Sequence, residues 1–138
     1  MSEQDTSLLA ANQAFYDAFS SRDFKAMAGL WSEDAEVACV HPGWDVLEGH
    51  DAVLGSWRDI LANPANPAIA CHNAHAHVHG ELGFVLCHEV APEGVLVATN
   101  IFHLEDGAWR MVHHQAGPTA IETQAPPSPT APPTGTVH

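Results

Sequence analysis

Positive charge is nearly missing from this chain. Of its 138 residues only four are Lys or Arg, against 17 Asp and Glu, a formal balance of −13. A chain so charged is repelled by phosphate backbones and by anionic lipid, which argues strongly against nucleic-acid binding and peripheral membrane attachment. Long apolar runs are absent as well: nothing approaches the roughly 20 residues that span a bilayer. The first residues, Met1-Ser-Glu-Gln-Asp-Thr, lack the basic and apolar segments of a secretory signal, so a cytoplasmic setting is expected. Cys39, Cys71 and Cys87 are odd in number and lack CxxC spacing. That argues against a disulfide framework and a cysteine zinc site, and leaves three buried structural thiols.

What is present is an apolar content of 46% and a change of period halfway along the chain. Residues 7–20 carry Leu8, Asn12, Phe15 and Phe19 on one helical stripe, with Leu9 and Tyr16 beside it, and Thr6 or Ser7 is placed to cap them. Asp23 caps a second short helix in which Phe24, Met27, Ala28 and Trp31 share a face. A third helix opens at Gly49-His50-Asp51 and stops at Asn63-Pro64. Between them, 35–40 and 44–47 read as short strands around the turn His41-Pro42-Gly43. Stretches 69–79, 82–91, 95–105 and 108–116 then alternate as four antiparallel strands. Their turns fall at Gly80-Glu81, Glu93-Gly94 and Asp106-Gly107, the last a strong two-residue hairpin signal. From Thr119 the chain is Pro, Thr, Ala and Ser, a segment with too little to bury for a packed core. The expected organisation is therefore one α+β domain over 1–118 and a disordered or extended tail over 119–138, with helices on one face of a curled sheet.

The turns also predict which side chains meet, since partners across strands share a face. Counting back from each turn places Ala74, Ala76, Val78, Val85, Cys87, Phe102, Trp109 and Met111 inward. The same count brings four polar residues inward at one end of the sheet: His72 opposite Glu89, and Asn100 opposite His113. Buried polar groups must bond one another, bind water or line a cavity. One reading is a network that holds strand register. The other is a pocket, with Glu89 orienting His72 as a general base and His113 beside Asn100 donating to a ligand oxygen.

The order of these motifs resembles the SnoaL-like branch of the nuclear transport factor 2-like superfamily. The resemblance runs through Phe15-Tyr16-Asp17-Ala18-Phe19, Asp23-Phe24-Lys25-Ala26-Met27, Leu30-Trp31-Ser32 and Cys39-Val40-His41-Pro42-Gly43. It continues in Leu47-Glu48-Gly49-His50-Asp51-Ala52, Ala98-Thr99-Asn100-Ile101-Phe102 and Gly107-Ala108-Trp109-Arg110-Met111-Val112-His113-His114. It implies three N-terminal helices packed on a curved, mainly antiparallel sheet, a cone-shaped half-barrel with an apolar pocket at one end. It also implies homodimers through the outer sheet face. The superfamily includes cyclases, isomerases, hydrolases and dehydratases as well as non-catalytic modules, so fold alone does not choose a reaction. Two of its catalytic sets do not transfer. Ketosteroid isomerase needs a tyrosine beside two aspartates, and Tyr16 is the single tyrosine here, on the first helix. Limonene-epoxide hydrolase needs an inward arginine, whereas Arg110 points outward by register and Arg58 lies beside Asp59.

The candidate catalytic residues are accordingly His113, Glu89, His72 and Asn100. Candidates for contact with a small apolar, oxygen-bearing ligand are His41, Trp44, Tyr16, Trp31, Trp57, Phe102 and Met111. No metal site and no organic cofactor are expected. His75, His77 and His79 face outward with Phe84, Leu86 and His88, a surface that reads better as a dimer interface than as a chelating site. Two functions stay open: acid–base catalysis of the isomerase, cyclase or hydratase type, or a non-catalytic binding or dimerisation module.

Overall fold

Helix formation begins earlier than the apolar stripe predicts. Ser2 caps it, accepting from the Asp5 N–H at 3.0 Å while Asp5 accepts from the Ser2 N–H at 3.3 Å, a reciprocal capping box. The computed structural model describes residues 2–121. It runs α1 (Glu3–Ser21), α2 (Phe24–Leu30), β1 (Ala38–Val40), β2 (Leu47–Glu48), α3 (His50–Ala62), β3 (Ala70–His79), β4 (Leu82–Ala91), β5 (Gly94–Glu105) and β6 (Ala108–Pro118). Asp23 caps α2 as expected, accepting from the Ala26 N–H at 3.0 Å. Residues 122–138, most of the proline-rich tail, lie outside the described residues. Thr119 folds back on the sheet, with its N–H and its hydroxyl both donated to the Val95 carbonyl at 3.1 and 2.9 Å.

The six strands form one open sheet in the order β2-β1-β6-β5-β4-β3. The four long strands are an antiparallel meander, and β1 joins its edge parallel to β6, pairing Cys39 with His114. Three helices on a curved, mainly antiparallel sheet is the α+β half-barrel expected. Asp106 and Gly107 make the last hairpin with φ of 51° and 81°, as a primed two-residue turn requires.

The other two hairpins show where counting residues works and where it breaks. Between β4 and β5 the turn is Pro92-Glu93, not Glu93-Gly94, because Ala91 pairs with Gly94. Proline has no ladder donor and its fixed φ suits a turn. That moves the register by two, so every side chain keeps its face. Two β-bulges move it by one. In β3 the register shifts between His72 and His75, with Asn73 at φ 56°, so His72 pairs with His88 and Cys71 with Glu89. In β6 the shift leaves Val112 as the extra residue, so Asn100 pairs with His114 and Ile101 with His113. A bulge turns every residue beyond it to the other face. His72 and His113 are therefore not the inward residues: Cys71 and His114 take their places.

The core lies between the helices and the concave face. Leu8, Phe15, Tyr16, Met27, Trp31, Val53 and Trp57 come from or directly after the helices, and Val85, Cys87, Phe102, Trp109 and Met111 from the sheet. Phe15 meets Trp57 edge-on at 5.3 Å between centroids. Helix α1 crosses closest to the sheet at Gly83, where an added Cβ would lie 2.7 Å from Leu8 Cδ2 and 3.1 Å from Trp109 Cζ3. Gly83→Val should therefore lower stability by about 1–3 kcal/mol in chemical denaturation. Combined with Leu8→Ala the loss should be less than additive, since the smaller side chain vacates the contact. Simple additivity would show that α1 does not press on the sheet there.

Candidate active site

Four elements bring one polar chain together under the apolar layer. Asn12 and Tyr16, one turn apart on α1, lie on the face that packs against the sheet, and both are buried. β4 supplies Glu89, β5 supplies Asn100 and β6 supplies His114, all at 2% exposure or less. The Tyr16 hydroxyl donates to Glu89 Oε2 at 2.6 Å. Asn100 Nδ2 donates to Asn12 Oδ1 at 2.8 Å and to the Tyr16 oxygen at 3.1 Å. Both amide hydrogens of Asn100 are then placed, and its Oδ1 accepts from His114 Nδ1 at 2.6 Å. His114 is thereby held as the Nδ1–H tautomer, and its Nε2 keeps a lone pair 3.9 Å from Glu89 Oε2.

Burial sets the proton affinities. Among the described residues no cation stands beside Glu89, and desolvation pushes it up to about 7, against which the Tyr16 hydroxyl pulls. His114 is pushed down to about 3 by burial and by the neighbouring His41 and His113. Burial takes His41 down to about 4. Tyr16 is raised well above its ordinary value by burial and by Glu89, so its hydroxyl stays a donor. Near neutral pH the cluster holds two neutral imidazoles and one carboxyl poised between its two forms.

Two members of the cluster, Glu89 and His114, form with His41 the buried floor of a cavity of about 910 Å³. The cavity opens between the end of α3, the β4–β5 hairpin and residues 118–121, with Phe19, Trp44, Ile60, Ile69 and Leu96 among its apolar walls. His41 arrives just after β1, whose parallel pairing with β6 sets it beside His114, 6.2 Å away between ring centroids. The Ser56 hydroxyl donates to the Val53 carbonyl at 2.7 Å, so it accepts from His41 Nε2–H at 2.9 Å, and His41 Nδ1 is left as an acceptor. Trp44 stacks edge-on against His41 at 4.8 Å and is half exposed at the mouth. The Arg22 guanidinium holds the rim, donating to the carbonyls of Leu61 at 3.3 Å and Asn63 at 2.7 Å and to those of Pro64 and Asn66.

Of the residues expected from sequence, Glu89, Asn100 and Tyr16 meet in this network, and His41 and Trp44 line the cavity. His113 and His72 do not join them, because the bulges turn both away. Trp31, Trp57, Phe102 and Met111 are at most 1% exposed and pack in the core rather than on the cavity, since each completes an apolar stripe of its own element. Trp57 backs the site indirectly, with its ring 4.8 Å from His41 and 5.7 Å from His114. The residues that counting missed are His114 and Asn12. His114 sits one place from the expected histidine, and Asn12 was visible as a polar break in the α1 stripe. On the outer face His75, His77 and His79 are exposed, and His77 stacks on Phe84 at 4.6 Å.

A family model described as a SnoaL-like domain matches residues 8–121. Among solved structures the chain is similar to a candidate dehydratase of the NTF2-like family from Streptomyces avermitilis, 31% identical with a TM-score of 0.76 over 84% of this chain and 96% of that one. It is also similar to a candidate calcium/calmodulin-dependent protein kinase type II association domain from Thiobacillus denitrificans, 32% identical with a TM-score of 0.73 over 80% and 94%. A cystatin-like protein of unknown function from Nostoc punctiforme, 13% identical with a TM-score of 0.69 over 85% and 92%, shares the fold. Among curated proteins the F-box protein SKIP8 of Arabidopsis thaliana is 24% identical over 119 residues, 85% of this chain and 52% of that protein. The chain thus spans about half the length of that relative.

The raised Glu89 carries a stability signature. Its contribution is full below the ordinary carboxyl value of 4.5 and is lost as pH rises through about 7. His41 and His114 run the other way: theirs is full above 6.5 and is lost as pH falls toward about 4 and 3. Comparing the parent with Glu89→Gln cancels the histidine contributions. The variant should be more stable by about 3 kcal/mol at pH 8.5 and no more stable at pH 4.5, read by denaturant unfolding at each pH. Tyr16→Phe, which removes the donor to the carboxylate, should move the Glu89 titration higher still by carbon-13 NMR. An equal effect of Glu89→Gln at both pH values would mean that Glu89 titrates in the ordinary range.

Proposed function

This chain belongs to the SnoaL-like family of the nuclear transport factor 2-like superfamily, and on that fold we propose that it catalyses proton transfer on a small, largely apolar, oxygen-bearing molecule. The reaction is of the isomerase, cyclase or hydratase and dehydratase type, carried by side chains alone. The observation that carries this reading is Glu89: a carboxyl held near 7 at the floor of an apolar-walled cavity, with a tyrosine hydroxyl donating to it at 2.6 Å. A general base works best when its proton affinity lies near the working pH. Glu89 takes a proton from carbon beside a carbonyl, and the C–H electron pair passes to the carbonyl oxygen as an enolate. The carboxylic acid so formed returns the proton elsewhere on the ligand or to a hydroxyl that departs as water. His114 Nε2 accepts a hydrogen bond from the ligand and holds it against the carboxylate. Tyr16 and Asn100 are positioning residues: they keep Glu89 and the His114 tautomer in place without reaching the ligand. The similarity to a candidate dehydratase at 31% identity supports the class of chemistry.

A second reading, a non-catalytic association module, is supported by the similarity at 32% identity to a candidate kinase association domain. The two separate in one experiment. A panel of small cyclic β-hydroxyketones in D2O is followed by NMR for exchange of the α-hydrogen and for loss of water. Exchange on some members should fall by 10²-fold or more in Glu89→Gln, which keeps the fold, and should rise with pH to a plateau above about 7, as an ionised Glu89 requires. Exchange that survives Glu89→Gln, or none from the parent on any member, would overturn the catalytic reading.

A homodimer through the outer face of the sheet is part of the same proposal. Leu82, Leu86 and Val97 are 45%, 39% and 45% exposed there, around Phe84 and the imidazoles of His75, His77, His79 and His88. Leu86→Glu should halve the mass seen by analytical ultracentrifugation without altering Glu89 titration. A parent that sediments as a monomer at micromolar concentration would refute it.

A further inference from the structure

The floor of the cavity offers acceptors and no side-chain donor once Glu89 is ionised. His114 gives Nδ1–H to Asn100, Tyr16 gives its hydroxyl hydrogen to Glu89, and Asn100 gives both amide hydrogens to Asn12 and Tyr16. His41 gives Nε2–H to Ser56, whose own hydrogen goes to the Val53 carbonyl. What remains for a ligand is the Glu89 carboxylate, the His114 Nε2 lone pair and the His41 Nδ1 lone pair, the last with the weakly donating Cys39 thiol 3.9 Å away. No cation compensates. Arg22 holds rim carbonyls, Arg58 lies over the Phe24 ring at 5.0 Å, Arg110 donates to the Gly29 carbonyl, and Lys25 is not among the lining residues. The mouth adds Asp59 and Glu93, and Thr119 donates its hydroxyl away, to Val95. The side-chain donors on the lining, the Asn63 and Asn66 amides and the Trp44 indole N–H, stand at the rim and not at the floor.

From this arrangement we infer that the ligand presents hydrogen-bond donors, hydroxyl or ammonium groups, to Glu89, His114 and His41, and that a carboxylate or phosphate head is disfavoured at that floor. An anionic head would lose its hydration to a floor that returns no hydrogen bond and carries the same sign of charge. A hydroxyl or ammonium finds up to three acceptors there, and its carbon skeleton meets Phe19, Trp44, Ile60 and Ile69. An ammonium also gains from the aromatic faces and from the −13 of the whole chain, which draws cations toward it.

This inference rests on the reading of the cavity as a small-molecule site, but it fails separately from the proposed catalysis. The probes are 2-phenylethanol, 2-phenylethylammonium and phenylacetate, three molecules of like size and unlike head. They are titrated at pH 8 into the full chain by calorimetry and by NMR of the histidine ring resonances. The alcohol and the ammonium should bind at least tenfold more tightly than phenylacetate and shift His114 and His41. Their ratio tells which donor the site takes, and Glu89→Gln should weaken the ammonium at least tenfold more than the alcohol. Phenylacetate binding as tightly as either, or no shift of His114 and His41 by any of the three, would overturn the inference. Deuterium exchange on hydroxyketones without a preference for donor heads sinks this inference alone. A donor preference without exchange on any ketone sinks the catalysis and leaves the site.

Discussion

Glu89 is an ionisable group at 2% exposure with no cation beside it, and the hydrogen bond it receives from the Tyr16 hydroxyl at 2.6 Å is what makes its charged form tolerable. An isolated buried carboxylate is among the most expensive groups a fold can carry, and it ordinarily responds by staying protonated. Here burial pushes Glu89 up and the tyrosine pulls it back, and the balance lies at about 7, where both forms are populated. That balance needs the Tyr16 hydroxyl hydrogen to be directed at Glu89. Asn100 secures this by donating to the tyrosine oxygen, and Asn12 secures Asn100 by accepting its second amide hydrogen. The tautomer of His114 follows from the same amide, through Asn100 Oδ1. One carboxyl therefore explains why an asparagine interrupts the apolar stripe of α1 and why another interrupts the concave face of β5.

Much of this was legible in residues alone, and the boundary of what was legible is physical. Helix caps, hairpin turns and strand alternation are local, and Asp23, Asp106-Gly107 and the extent of β4 read directly from sequence. Glu89 and Asn100 were placed on the inner face because an error of two in a turn, at Pro92-Glu93, leaves the face unchanged. His72 and His113 were misplaced because a bulge is an error of one. Asn73 is of a type that tolerates the left-handed φ of 56° it adopts, but asparagine alone does not mark a bulge, and nothing local to Val112 announces one. Each is decided by the sheet as a whole, which must curl around three helices and gains twist where an extra residue is inserted.

The bulges are also what build the site. Without the extra residue in β6, His113 would face inward opposite Asn100 and His114 would lie on the outer face. The inserted Val112 brings His114 inward instead, at the point where the parallel pairing of β1 sets Cys39 beside it and His41 two residues on. In β3 the bulge carries His72 out to the face it shares with His88 and brings Cys71 in, within 3.5 Å of Asn12 Nδ2. The imidazole count on the inner side is thus set by backbone irregularity as much as by composition. The chain has eleven histidines, and among the described residues only His41 and His114 are buried.

Those two imidazoles must also remain neutral for the floor to work. A protonated His114 would draw the proton balance of Glu89 down through an attraction at 3.9 Å, and the carboxyl would cease to be poised. It would also present a donor to the cavity and reverse its preference. Burial against Phe15 and Trp57, at 5.0 and 5.7 Å between ring centroids, prevents this by removing the water that an imidazolium needs. The aromatic cluster behind the site is therefore more than packing. It holds His114 at about 3 and so keeps that imidazole an acceptor across the pH range in which Glu89 changes form.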